Sequence, residues 1–340
     1  MTLMLALLLS AAPSVDTAAL REQARTLTLA GRWTDALKAL DSAKAKVPPG
    51  ETATLAFIAT ERGRVLADSN FFHKDDPAPA LAALQEGERL ARTAGDELVL
   101  SEARMQLARI DYSAAFETKD WKKPRAAFES VLAVREKLSD PKGISETLFY
   151  LGLTYEQDGQ PDAAFERYTK SLAIAEKERD IILQSYVRRH MGGIQEERGE
   201  LDAARKNIDL EVELRRKGGF LVGVPFALRH KADFVAAHGP GKAEAVRLLE
   251  EAASLAGKCG STRALYLVRT DLSRLALESG DAKKALAYAE QAVATAKEFG
   301  APSAVRAWRA RRIFHTCWSC LRSNSSSSCR VELPSTSMAG

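Results

Sequence analysis

Residues 145–178 read SETLFYLGLTYEQDGQPDAAFERYTKSLAIAEKE. Apolar side chains recur at three- and four-residue steps on each side of a polar turn, Asp158-Gly159-Gln160-Pro161. That spacing puts Leu148, Leu151 and Tyr155 on one face of a first helix, and Phe165, Tyr168 and Leu172 on one face of a second. Gly152 and Ala164, the small residues, stand where two antiparallel helices must approach closely. The stretch therefore encodes a helical hairpin with an apolar face too large to leave in water and too small to fold alone.

The order of these residues resembles the tetratricopeptide repeat (TPR), a pattern of about 34 residues. Leu148, Leu151-Gly152, Tyr155, Gly159, Ala164 and Tyr168 follow it in register, with Ser171 where alanine is usual and no closing proline. The resemblance implies an all-α fold, a right-handed α-α superhelix in which neighbouring hairpins bury each other's faces.

Working outward, the unit recurs on both sides. Hairpins are expected over about 18–47, 51–93, 98–138, 182–216, 224–257 and 262–298, making about seven with the central one. Their second helices carry Ala36, Ala80, Ala127, Ala164, Ala204, Ala245 and Ala285, at intervals of 44, 47, 37, 40, 41 and 40. Intervals near 40 mean helices about a turn longer than the shortest TPR. The loop DSNFFHKDDPAP (68–79) is expected to connect the second pair, with Phe71 and Phe72 plugging a neighbouring hairpin. The array is expected to fill 20–300, with an eighth repeat starting over 301–314.

The ends differ from the body. Residues 1–19 hold an apolar run bounded by Ser10, Ala11 and Ala12, which reads as a secretory signal and places the protein outside the cytoplasm. No Lys or Arg precedes the run, and the competing reading is an apolar helix packed under the first repeat. The run falls short of the roughly 20 apolar residues that span a bilayer, so no stable membrane insertion is expected. Residues 315–340 contain a serine run and no helical period, and read as a disordered tail or the product of a frameshift. The chain's net charge of +4 arises in 301–340, which holds six arginines against Glu332. The remaining 300 residues balance to −1, which gives no reason to expect nucleic-acid binding by the repeats. His315, Cys317 and Cys320 form half of a zinc or redox motif without its second half, and Cys259 is the body's one cysteine. No cofactor is expected.

No GxSxG, P-loop, HExxH or GxGxxG signature occurs, so a non-catalytic protein-interaction scaffold is expected rather than an enzyme. In TPR-like stacks the first helices line the concave groove, at positions three before and one after the small residue. This places Arg189 and Arg229 at matching sites, with Arg274 a turn along and His190 and His230 beside the first two. Arginines one repeat apart suit an acidic segment or C-terminal carboxylate of an extended peptide or helix. The competing reading is that they pair with acids of neighbouring helices such as Glu196 and Asp233. In the third and fourth units the groove positions are Met105, Arg109, Phe149 and Leu153, a more apolar surface. The alternative function is the sensor portion of a signalling or protease-like protein whose effector domain is missing.

Overall fold

The protein is described by a computed structural model covering residues 14–73, 76–239 and 241–298. Residues 1–13 of the 1–19 stretch read as a secretory signal, the eighth repeat expected over 301–314, the His315-Cys317-Cys320 motif and the serine-rich tail lie outside these residues. Fourteen helices and no strands occur among the described residues. They are α1 (Thr17–Leu29), α2 (Trp33–Lys44), α3 (Thr52–His73), α4 (Ala78–Ala94), α5 (Glu97–Thr118), α6 (Lys122–Lys137) and α7 (Pro141–Gln157). The remainder are α8 (Pro161–Lys177), α9 (Ile181–Glu197), α10 (Leu201–Lys217), α11 (Val224–His238), α12 (Lys242–Lys258), α13 (Thr262–Glu278) and α14 (Ala282–Glu298). Paired in order they make seven hairpins, each packed on the next.

Helix starts follow a repeated cap. Asp16, Asp96, Asp140 and Asp180 each precede a first helix, and each accepts a hydrogen bond from the backbone N–H three residues on, at 3.0–3.1 Å. The carboxylate satisfies an amide that has no partner inside the helix and meets the positive end of the helix dipole. The first of these helices begins at Thr17, inside the 1–19 stretch read as a signal.

The second helices carry a buried column at steps of four, three and four. In α8 it runs Ala164, Tyr168, Ser171, Ala175; in α12, Ala245, Leu249, Ala252, Ala256; in α14, Ala285, Ala289, Ala292, Ala296. The third unit departs from the sequence-based expectation. Its column is Pro124, Phe128, Val131, Arg135, and Ala127 is only half-buried. The string AAFE occurs in both α6 and α8 but sits three residues apart in register, because α6 starts with Pro124 in its first turn. With Pro124 as the third-unit marker the repeat lengths become 44, 44, 40, 40, 41 and 40.

The extra residues of the early repeats go into α3 and α5, each 22 residues long. Helix α3 continues through Phe71 and Phe72, where the sequence suggested a loop. Phe72 is buried, with its ring near those of Trp33 (5.6 Å), Phe220 (6.4 Å) and Phe226 (5.9 Å). It therefore plugs not only the first hairpin but also the start of the sixth.

That contact is part of a seam closing the superhelix on itself. The first two units pack against units five to seven, and Ile182, Phe220 and Val222 share one core with residues of α1 to α3. Polar links cross the seam. Val222 N–H donates to Leu29 C=O (3.3 Å), Arg25 donates to Asp180 (3.0 Å), and Arg263 donates to Phe71 C=O (3.0 Å). Gly31, at φ +80°, fits here because a Cβ would lie 2.8 Å from Val222 Cγ1 and 2.9 Å from Cys259 O. Around it lies a cavity of about 320 Å³ lined by Trp33, His73, Cys259 and Gly260 among others.

Candidate functional site: the inner face of the first helices

Successive first helices touch directly, α1 with α3, α3 with α5, α5 with α7, and α11 with α13. No pair of second helices packs to a similar extent. The first helices are therefore crowded on the inside of the curve, and their side chains line the concave face. Gly152, Gly192, Ala232 and Ser273 form the small-residue column, each buried against the second helix of its own unit.

The sequence-predicted residues fall into two groups. Phe149 and Leu153, together with Met105, are buried core residues and not a free apolar surface. Phe149 sits between Tyr168 (5.9 Å) and Tyr186 (5.8 Å), with His190 against its edge (5.6 Å). The aromatic side chains of the next repeat cover the site that the isolated hairpin leaves open. The five basic residues and Arg109 do face inward, but most are paired.

Arg109 donates to Asp68 (2.8 Å) and Gln106 (2.5 Å) and lies over the Tyr150 ring. Arg229 pairs with Asp271 and stands 3.9 Å from Asp233. Arg274 reaches Asp233 (3.3 Å), Glu278 (3.0 Å) and Asp271 (4.0 Å). Two arginines and two aspartates thus alternate in a closed ring, as the competing sequence reading suggested for Asp233. Glu196, its other named acid, instead takes His238 (2.9 Å). The ring's charges affect one another. Burial and then the neighbouring Asp271 push the Asp233 carboxyl upward against the pull of Arg229 and Arg274.

The two histidines are tied down in the same way. His190 Nδ1 lies 3.0 Å from Glu156, which also accepts from Tyr168 Oη (2.6 Å). Burial opposes the Glu156 charge, yet His190 and Tyr168 outweigh it and hold the carboxyl below its ordinary value. His230 Nδ1 lies 2.8 Å from Glu211, a fully buried carboxylate on α10. Glu211 also meets Arg215 at 2.9 Å and Arg189 at 3.9 Å. Against burial, Arg215, His230 and Arg189 bring its pKa down to about 2.

Glu211, Arg215 and Arg135 are the residues that sequence reading missed. They occupy the buried column of second helices, where most other units place Ala, Ser or Gly. Arg135 and Arg215 perform one task in two units, each donating to the carbonyl eight residues on, Gly143 (2.9 Å) and Gly223 (2.7 Å). Charge at alanine positions in a 40-residue register was the available signal. Arg189 is left as the exception. It makes no hydrogen bond among the described residues, its one ion pair is the 3.9 Å approach to Glu211, and its side chain is 22% exposed. Burial lowers its pKa, and the pull of Glu211 does not overcome the push of Arg215 and Arg229. Arg109 and Arg229, which are well paired, move the other way.

An array of seven stacked helical hairpins with charged inner walls defines a helical-repeat solenoid. Residues 112–177, from the end of α5 through α8, match the tetratricopeptide repeat family. The chain contains tetratricopeptide repeats, and its fold is that of a TPR-like all-α solenoid. Solved structures share this fold over nearly the whole chain. A Rap protein complexed with competence and sporulation factor is similar at a TM-score of 0.65 and 14% identity, covering 92% of this chain and 88% of that one. The apo form of RapI is similar at 0.56 and 10% identity, covering 84% and 99%. NprR in complex with its cognate peptide NprX is similar at 0.56 and 17% identity, covering 87% and 86%. No curated protein matches the sequence. Among the described residues, no helix is long and apolar enough to cross a membrane.

Proposed function

We propose that this chain is a non-catalytic protein-interaction scaffold that holds an extended peptide along the inner face of its first helices. The observation that carries this reading is the inner wall itself. Its charged side chains Arg109, Arg229 and Arg274 are fixed by neighbours, and with Arg189 they remain 20–25% exposed, so the wall is pre-organised without being sealed from a ligand. Pre-organised polar groups lower the ordering cost of binding. A wall built from one residue column per repeat suits a partner that is itself periodic, as an extended chain is. The likeness to NprR, whose structure contains its cognate peptide, supports the reading at the level of fold.

The test is competition between faces. Tyr186→Glu alters the inner wall, and Lys170→Glu alters an exposed position on α8. A pool of short synthetic peptides retained by the protein should be lost with the first change and kept with the second. Loss with the second alone would move binding to the convex side and sink the proposal.

A further inference from the structure

The inner wall carries several arginines, and among the described residues the Arg189 guanidinium is left without a hydrogen bond. Arg109, Arg229 and Arg274 each have a hydrogen-bonded carboxylate. Arg215 is buried against Glu211 and the Gly223 carbonyl. Glu211 is then shared. Arg215 and His230 lie within 2.9 Å of it, and Arg189 is held a full ångström further off. A guanidinium has five N–H donors in a fixed fork that matches a carboxylate. Arg189 spends none of them on a hydrogen bond among the described residues. Its nitrogens are also absent from the set of buried, unpartnered atoms, so the unsatisfied donors reach solvent-accessible space. Arg189 lies three residues beyond Tyr186 on α9 and therefore on the same helix face. Tyr186 is half-buried and bridges the seam core and the core shared by units four and five.

We propose that Arg189 anchors a carboxylate of the bound peptide, with the neighbouring apolar side chain of that peptide resting on Tyr186. The inference rests on the peptide-binding reading above. The buried Glu211 does not forbid it, since Arg215 already offsets its charge and the His230 ring occupies its other oxygen. Arg229, the corresponding residue of the next repeat, is not a second anchor, because Asp271 occupies it. Recognition through one arginine predicts a single acidic position in the peptide rather than an acidic run. This narrows the expectation drawn from Arg189, Arg229 and Arg274 together.

The test uses the full chain on a resin and two pools of random hexapeptides, one with free C-termini and one amidated. Retained peptides are read by mass spectrometry against blank resin. The wild type should enrich peptides with a carboxylate. Enrichment only in the free-acid pool identifies the terminus as its source, and enrichment of Asp or Glu in both pools identifies a side chain. Arg189→Gln should reduce that enrichment about tenfold or more, the usual scale of a charge-assisted contact. Arg189→Glu should turn the preference toward Lys and Arg, which a merely structural residue would not do. Lys170→Gln, at an exposed position on α8 away from the wall, should leave the preference intact. Circular dichroism of each variant checks folding, and Arg189 forms no hydrogen bond whose loss would unfold the array. An unchanged acidic preference in Arg189→Gln overturns the anchor while leaving peptide binding in place. Equal loss of all retention in both Arg189 variants overturns it too and makes Arg189 structural. No retention by the wild type overturns the peptide reading itself and the anchor with it.

Discussion

Gly152 and Gly192 hold the same place in successive repeats, and the structure predicts opposite outcomes when each becomes alanine. A Cβ on Gly152 would lie 2.3 Å from Cε1 and 2.7 Å from Cδ1 of Tyr168. That ring is fully buried, and its hydroxyl is fixed on Glu156, so it cannot step aside as a flexible chain end would. A Cβ on Gly192 would meet Ile208 Cγ1 at 3.3 Å and Ala204 O at 3.5 Å, which a small adjustment accommodates. Replacing a mid-helix glycine by alanine gains about 1 kcal/mol from helix propensity. Overpacking a core costs about 1–3 kcal/mol. For Gly152→Ala the 2.3 Å approach to a fixed ring puts the clash in the upper half of that range, about 2–3 kcal/mol, and the net loss is about 1–2 kcal/mol. For Gly192→Ala the propensity dominates and the net is about 0.5 kcal/mol of stabilisation. On a scale of about 2–4 °C per kcal/mol, melting should fall by about 3–6 °C in the first case and rise slightly in the second. Urea midpoints at unchanged m-value supply the second measurement. Adding Tyr168→Leu to Gly152→Ala should cost less than the sum of the separate changes, because the clash disappears with the ring. A Gly152→Ala protein as stable as the wild type would refute the packing argument.

Two further perturbations probe the buried charges and the seam. Glu211 has its pKa lowered to about 2 from 4.5, so its contribution is complete above about pH 4.5 and is lost as the pH falls toward 2. The difference corresponds to about 3 kcal/mol at neutral pH. Glu211→Gln should lose about that much at pH 7 and show a smaller further loss between pH 5 and 3 than the wild type. Parallel acid sensitivity in both proteins would exclude Glu211 as the source. Gly31→Ala places a methyl against Val222 and the Cys259 carbonyl from a backbone conformation that disfavours side chains. It should loosen the seam, seen as a larger radius of gyration by X-ray scattering and a lower melting temperature. An unchanged radius with unchanged stability would count against the seam as the closing contact.

The hairpins were legible in the sequence because each is local. Periodicity over about 17 residues, a turn, and a small residue at the crossing define a unit without knowledge of its neighbours. The one register error, Ala127 in place of Pro124, falls where α6 and α8 share the string AAFE at different registers. What lay beyond reach was set by contacts between units distant in sequence. Nothing near Phe71 and Phe72 announces Phe220 and Phe226, so a helix end looked like a loop. The repeat spacing puts Arg189, Arg229 and Arg274 on first helices, but their pairing is not legible in it. Pairing depends on Asp271 and Glu211, which come from a different repeat and from a second helix. Phe149 and Leu153 read as exposed for the same reason, since Tyr186 and His190 of the next unit cover them.

The seam also has a consequence for the order in which the molecule can be made. Repeat arrays with only neighbour contacts fold as they emerge, each hairpin docking on the last. Here Arg25 waits for Asp180, 155 residues later, and Phe71 waits for Arg263, 192 residues later. At ribosomal rates of about 5–20 residues per second, the second wait lasts roughly 10–40 s. For most of it, until Phe220 and Phe226 are made, Trp33, Phe71 and Phe72 stand at the front of the nascent chain without the surface that later covers them. The circle is therefore completed from its beginning by its end, and the oldest part of the chain is the last to reach its final surroundings.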